Sequence, residues 1–546
     1  MIGLSPTPTL HGDHEPSPVL TKQNSTQKSH QSDDGTGNFI IDWDGPNDPE
    51  NPKNWSFRRR WATTAIVSSF TFISLVSSSM VAPASGQVAS TFRLTSDVII
   101  ALTTSIFVLA YAVGPLFWGP MSEIYGRSRV LRLANLWYLV WNLACGFAQT
   151  EYQLLAFRFL AGLGASASLP IGGGVLGDCW RPEERGKAMS IFSLAPLLGP
   201  VVGPITGAWI AERSTWRWVF WSSSIVDAAI QILGLFVLRE TYAPLLLARK
   251  AERIRKFESM DAEKVPYKEI RTVFEVQGRS RRTIMTTALS RPFALFVREP
   301  IVQLLGVYMA YLYGTIYLFL TTIPSIFQGV YHQSVGIAGL NYIALGVGLV
   351  VASQLNARTL DKIYVHLKSK HGGVGKPEFR LPAMLVGTIL LPIGCLTAGW
   401  TTEAHTHWIA PDIGIALVGA GIILNWQCLQ TYVVDCFTLH AASGIIFLSH
   451  VFCTVLRLSC PALAAVTCLQ SLAGFGFPLF APAMYNALGV GKGDTIIAVA
   501  AIAIGGPAYV FVPVLSIVIL TDYTCRFWIF WHYGERIRNS SRYARS

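Results

Sequence analysis

Stretches of about 20 predominantly apolar residues recur along this 546-residue chain, the length an α-helix needs to cross ~30 Å of hydrocarbon. Ten can be delimited: 61–83, 98–118, 130–149, 152–177, 187–211 and 216–238, then 300–325, 336–356, 381–400 and 411–434. An apolar region from 441 to 533 follows. The chain is 51% hydrophobic and only 14% charged, a balance that marks the bilayer as its solvent. In lipid every backbone polar group must be satisfied internally, which leaves helices or a closed barrel. The alternating strands of a barrel are absent from the sequence, so the chain reads as an all-α membrane protein. Gly, Ser and Ala recur within nearly every run and let helices pack closely in lipid.

Charge sets the orientation. Arg58–Arg60, Arg127, Arg129, Arg132, Arg181, Arg185 and Lys187 fall on one side if the runs alternate. The interruption at 239–298, with Arg249, Lys250, Arg253, Arg255 and Lys256, and then Arg358, Lys362, Lys368 and Lys370 join them. The opposite loops hold little beyond Arg93, Glu151, His332, Glu403 and Lys492. The basic side is therefore cytoplasmic, with the N-terminus inside. The net charge of +11 follows from these orientation signals, and no nucleic-acid partner is expected. The cysteines are scattered, without CxxC spacing, so neither zinc nor a disulfide framework is expected. Gly375-Lys376 and Gly491-Lys492 lack the spacing of a phosphate-binding loop, and no HExxH or GxSxG occurs. The expectation is a non-enzyme with no cofactor and no ATP drive.

The runs repeat. Glu123–Arg127 follows the second run, Asp178 ends the fourth, and a Gly/Pro-rich fifth comes next. Asp361–Lys362 follows the eighth, Asp435 ends the tenth, and Gly474–Pro482 comes next. Two six-span halves joined by a cytoplasmic loop place a substrate site near the midplane between them. The divisions are a disordered tail (1–56), an N-terminal bundle (57–238), a central loop (239–298, part of it a surface helix), a C-terminal bundle (299–533) and a second tail (534–546).

Three motifs carry a family resemblance. The turn Gly119-Pro-Met-Ser-Glu-Ile-Tyr-Gly-Arg-Ser-Arg129 has a glycine, an acid four residues on, and then Gly126-Arg127. Gly119 would allow close approach of two spans, and Glu123 can pair with a base or a helix N-terminus to latch one conformer. A solvated loop is the plain alternative. The turn resembles the signature of the major facilitator superfamily, although Glu123 and Ile124 stand where that family has Asp and a base. Leu155-Ala-Phe-Arg-Phe-Leu-Ala-Gly162 resembles the family's fourth-span motif, with Ala161 in place of its Gln. The resemblance ties Arg158 to proton coupling; the alternative is an arginine snorkelling to the outer interface. Gly199-Pro-Val-Val-Gly-Pro-Ile-Thr-Gly207 resembles the fifth-span motif of the antiporter branch, with Ala208 where a final Gly is usual. Gly199, Gly203 and Gly207 make a smooth seam on one helix face, and Pro204 kinks it. The segments 43–55 and 240–253 narrow the resemblance to the fungal drug:proton antiporter group of about twelve spans.

That resemblance implies the major facilitator fold, two six-helix bundles related by pseudo-twofold symmetry. It further implies export of a drug, toxin or secondary metabolite in exchange for protons by alternating access. Arg158 and Asp227 would serve coupling, Glu123 and Arg127 with Asp361 and Lys362 would latch the inward-closed state, and Gly199–Gly207 would move. The partners expected are the bilayer, a small molecule and protons, with the chain a monomer of the plasma membrane or, alternatively, the vacuolar membrane. An uptake symporter for a nutrient or polyamine and a non-transporting sensor are the other readings. Asp227 is the clearest acid inside a run and could carry a proton, meet a cationic substrate or bond a neighbouring helix. Tyr308 and Tyr311, with Asn425, Gln427 and Gln430, suit a cavity for a bulky, weakly polar solute. Two stretches, near 444–461 and 509–526, interrupt what would otherwise be family-like spans and read as translated introns. Ala508-Tyr509-Val510 can encode G-TAY-GTN, a splice donor, and Cys525-Arg526 can encode TGY-AGR, an acceptor.

Overall fold

The computed structural model describes residues 32–33, 38–258, 269–272, 289–290, 293–294, 296–297, 300–370, 377–438 and 448–505. Twelve helical elements build the two halves among these residues. The first half comprises Phe57–Ser79 continued by Ser85–Phe92, Asp97–Tyr125, Arg127–Cys145, Glu151–Ala165 continued by Ser168–Cys179, Pro182–Arg213 and Arg217–Val237. The second half comprises Pro300–Pro324, Val335–Leu340 continued by Tyr342–Lys370, Met384–Glu403, Ile409–Thr438, Leu448–Leu488 and Val490–Gly505. Below these are called the first to twelfth spans. Ten satisfy both length and hydropathy for a crossing. The third opens on Arg127, Arg129 and Arg132, and the twelfth has 16 described residues.

Local chemistry sets the boundaries. Pro182 opens the fifth span, where its missing N–H costs nothing. Thr150 caps the fourth by accepting from Gln153 N at 3.3 Å, while Gln153 Oε1 accepts from Gln149 N at 3.0 Å. The second and third spans are separated by Gly126 alone, at φ +99°, a conformation that favours glycine. Large apolar side chains such as Phe236, Ile225 and Val140 lie exposed on the outside of the bundles, where lipid covers them. The interior is rich in Ser and Thr: Thr71, Ser74, Ser77, Ser78 and Ser79 of the first span are all buried. Their hydroxyls return to the carbonyls of their own helix or cross to a neighbour, as in the Ser77–Asn142 bond of 3.1 Å.

Of the segment 1–56, expected as a disordered tail, residues 32–33 and 38–56 are described, and part of them pairs with the central loop. Strand β2 (Asn38–Ile41) lies between β1 (Ser32–Asp33), antiparallel to it, and β3 (Glu269–Thr272), parallel to it, with Asn38 opposite Glu269. Residues 42–55 then pack on the surface helix Ala243–Glu258 expected within the central loop. Lys250 Nζ lies 2.7 Å from Asp44 Oδ1 and 3.6 Å from Asp48 Oδ2, and Arg253 lies 3.0 Å from Glu50. Ile41 buries itself against Ala251 and Ile254. The two segments that narrowed the family resemblance thus bind each other.

Of the first insert, residues 448–461 continue the eleventh span as helix, giving 41 residues in one piece. At 1.5 Å per residue this is about 60 Å, roughly twice the hydrocarbon thickness. The second insert, 509–526, and the tail from 534 lie outside the described residues.

Candidate functional site

The site is built around Arg158. It lies within the fourth span and is completely buried, so it does not snorkel. Its Nε donates to Thr103 O at 3.0 Å and Nη1 to Ser77 O at 3.0 Å. Nη2 donates to Ser78 O at 3.2 Å and Thr104 O at 3.3 Å. Four carbonyls from the first and second spans therefore surround one guanidinium. Its carbon lies 4.7 Å from the centre of the Phe107 ring and 5.7 Å from that of Phe220. Among the described residues no carboxylate reaches it. Among the described residues, peptide dipoles and ring faces compensate this buried charge.

From this charge the structure crosses to the other half. Ser78 Oγ lies 3.1 Å from Tyr317 OH of the seventh span. The Tyr317 ring is 5.0 Å from Tyr313, and Tyr313 is 5.6 Å from Trp426 of the tenth at 78°. Gly474 of the eleventh leaves room for this cluster: a Cβ there would fall 2.9 Å from the Tyr313 ring. Tyr313 and Trp426 are only partly buried.

The halves meet mainly toward the end opposite the basic loops. Cys468 Sγ donates to Ala112 O at 3.0 Å near mid-span, and Asn486 Nδ2 donates to Asp97 Oδ2 at 3.1 Å at the outer end. The fifth span packs on the eighth: a Cβ at Gly339 would lie 2.3 Å from Ala208 Cβ, and one at Gly346 2.7 Å from Val201. On its other face the fifth span packs on the first. Cβ atoms at Gly199, Gly203 and Gly207 would fall 2.7, 2.4 and 2.0 Å from Leu75 Cβ, Val76 O and Met80 O. Small residues thus seal the outer end, while the described side-chain hydrogen bonds between the halves stop at mid-membrane.

A sequence model of the Major Facilitator Superfamily matches residues 67–457. The chain belongs to this superfamily. Efflux pump vrtL of Penicillium aethiopicum is 44% identical over 98% of this chain and 96% of that protein. Efflux pump radE of Floropilus chiversii is 37% identical over 92% of this chain and 86% of that protein. Among solved structures, the xylose transporter XylE from E. coli in a partially occluded inward-open conformation aligns with a TM-score of 0.60. The two share 16% identity over 84% of this chain and 98% of XylE, a likeness of fold alone. As a major facilitator, this chain is a multi-pass membrane transporter of small molecules and not an enzyme.

The major facilitator fold brings some sequence-nominated residues together and separates others. Arg127 forms an ion pair through Nε with Asp178 Oδ2, and its ring neighbour is Tyr242 at 5.3 Å. The Arg127 backbone N–H donates to Glu240 Oε1 at 2.9 Å, and so do Thr241 N and Tyr242 N at 3.1 Å. Glu123 is exposed and makes no ion pair among the described residues. A Cβ at Gly119 would meet nothing within 4 Å, so in this conformer Gly119 does not serve close approach. In the second half Asp361 pairs with Arg380 at 2.6 Å, and Lys362 is exposed.

Asp227 of the sixth span faces the third. Asn135 Nδ2 of the third span donates to both its oxygens, at 3.0 and 3.2 Å, so the carboxyl bonds two helices together. Tyr308 and Tyr311 are buried within the second half, where Tyr311 OH donates to Ile497 O. Asn425 Oδ1 accepts from Thr388 at 2.9 Å, and Gln427 bonds Ser353 and Asn356 at 2.7 and 2.9 Å. These four pack between helices within one half; Gln430 is exposed. Sequence reasoning missed Tyr313 and, as a buried acid, Asp494. The usable sign for Tyr313 was its place one helical turn from Tyr317, on the face opposite Tyr308 and Tyr311.

Proposed function

We propose that this transporter exports a bulky, weakly polar, neutral or weakly acidic aromatic molecule in exchange for protons, acting as a monomer in the plasma membrane. Arg158 carries this reading: a buried guanidinium without a carboxylate beside the face where Ser78 meets Tyr317. A fixed positive charge favours an acidic or electron-rich solute over a cation, and Tyr313 and Trp426 offer it ring faces. Asp227 is taken up by Asn135, which leaves it poorly placed to attract a cation. Two relatives that align over most of this chain bear the name efflux pump, which favours export over the fold likeness to a xylose symporter. The proton gradient supplies the energy, and Arg158 holds the first and second spans together while the charge state around it changes.

Flux of a fluorescent phenolic dye in vesicles with an imposed proton gradient tests this. Dye should leave the cytoplasmic side against proton entry. Arg158→Ala and Arg158→Lys should both lower gradient-driven flux by about tenfold or more, because an ammonium with three donors cannot span carbonyls on two helices as a guanidinium does. Accumulation on the cytoplasmic side with protons moving the same way would establish uptake symport instead. Binding without flux would establish a sensor.

A further inference from the structure

We propose that Asp494 is a proton-binding carboxyl of the C-terminal half, and that its proton holds the outer end of the transporter shut. Asp494 sits one turn into the twelfth span and is 1% exposed. Its Oδ1 accepts from Tyr485 OH of the eleventh span at 2.6 Å. Its Oδ2 is buried and has no hydrogen-bond partner among the described residues. Gly399 of the ninth span abuts it so closely that a Cβ there would fall 2.6 Å from Asp494 Cβ. The titratable groups facing it are Tyr485 from the eleventh span, Cys395 from the ninth and Tyr311 from the seventh, two phenols besides one thiol. The charges at this end look elsewhere: Glu403 accepts from Gly491 N at 3.0 Å, and Lys492 is exposed.

Among the described residues a carboxylate in this place would have one hydrogen bond and no cation, a buried charge left uncompensated. With a proton on one oxygen the same cage holds a neutral acid. The residue after Tyr485 makes this consequential. Asn486 bonds Asp97 of the other half, so the last turn of the eleventh span holds both the acid and the outer closure. When the O–H bond of Asp494 breaks, its electron pair stays on the carboxylate and the proton passes to water admitted from the outer side. The charge then requires that water, which needs Tyr485 and Asn486 to move. Protonation reverses this and lets the outer end close.

The inference rests on the antiport reading for its place in the cycle, but not for its test. Infrared difference spectra of the full-length protein in liposomes should show a protonated-carboxyl band that disappears in Asp494→Asn and shifts in Tyr485→Phe. A band unchanged by Asp494→Asn would overturn the site. Spin labels at Tyr152 and Trp408, one on the outer side of each half, read the outer closure. Wild type should open on going from mildly acidic to mildly alkaline buffer, and Asp494→Asn should stay closed in both. An Asp494→Asn protein that opens as wild type does would overturn the link to closure. Wild-type flux without proton movement would sink antiport, while the infrared band would still decide whether Asp494 binds a proton.

Discussion

Each half buries one aspartate between its third and sixth spans, and the two are satisfied in opposite ways. In the first half Asn135 gives both oxygens of Asp227 an N–H donor, and Gln231 joins the same amide at 3.2 Å. In the second half Asp494 has one phenol and a bare oxygen. A saturated carboxyl is a fixed joint; a half-satisfied one is sensitive to its proton. The glycine-bearing helices differ in the same direction. In the first half the fifth span lays Gly199, Gly203 and Gly207 against backbone and Cβ atoms of the first. In the second half Gly474 faces a tyrosine ring and Gly476 faces open space. Of these two corresponding helices the fifth span is the more tightly seated, and the eleventh has room to change.

The seam gives the largest contrast. Gly207→Ala would place a Cβ 2.0 Å from Met80 O, a backbone atom that cannot rotate aside. Forcing the helices apart should destabilise the protein by roughly 1–3 kcal/mol and halt the cycle. Gly476→Ala meets no atom and removes a helix-interior glycine, so its effect should lie between neutral and about 1 kcal/mol stabilising. Thermal unfolding in detergent, with dye flux, compares them. Equal losses would mean that the two helices are equally tightly seated.

The acids come next. Asp227→Ala leaves the Asn135 amide without its buried acceptor and should cost about 1–3 kcal/mol, while the pH response of the outer end persists. Asp227→Asn keeps an acceptor oxygen in place and should cost less. If Asp227→Asn instead abolished gradient-driven flux with stability intact, the saturated carboxyl would be the proton carrier after all.

The all-helical membrane fold and ten apolar runs were legible because lipid punishes unpaired backbone everywhere, which writes each crossing as an apolar run. Arg158 was legible for the same reason: a charge inside such a run needs an explanation. The cavity was harder. Tyr308, Tyr311 and Tyr313 lie within six residues, and only their helical faces separate packing from lining. Asp494 escaped because Gly491-Lys-Gly-Asp494 reads as a loop before an apolar run; only the fold shows Gly399 and Tyr485 closing over it. The bonding of segment 43–55 to helix 243–258 joins residues some 200 positions apart, and no local pattern announces such a pairing.

The latches give the smallest contrast. Arg127 and Arg380 stand at corresponding places, each leading into the third span of its half. Arg127 reaches the acid that ends the fourth span, Asp178, and the two side chains are 19% and 21% exposed. Arg380 reaches back to Asp361, which is 76% exposed and lies inside the helix that forms the second span of its half. Both arginines lie against a ring, Arg127 on Tyr242 and Arg380 on Tyr364, so the difference rests on the acid. Asp178 is partly buried beside the backbone anchor at Glu240, while Asp361 is open to water, and the Asp178 pair should matter more. Arg127→Ala should lower stability by roughly 1–2 kcal/mol, and Arg380→Ala by less than about 1 kcal/mol. Raising salt should weaken the Asp361 pair and leave the Asp178 pair nearly untouched, because screening acts through solvent. Double-mutant cycles on Arg127 with Asp178, and on Arg380 with Asp361, at low and high salt separate the two. A salt-insensitive coupling at Asp361 as large as that at Asp178 would show that the C-terminal latch is as rigid as the N-terminal one, and the asymmetry between the halves would then reside in the buried acids and the glycine seam alone.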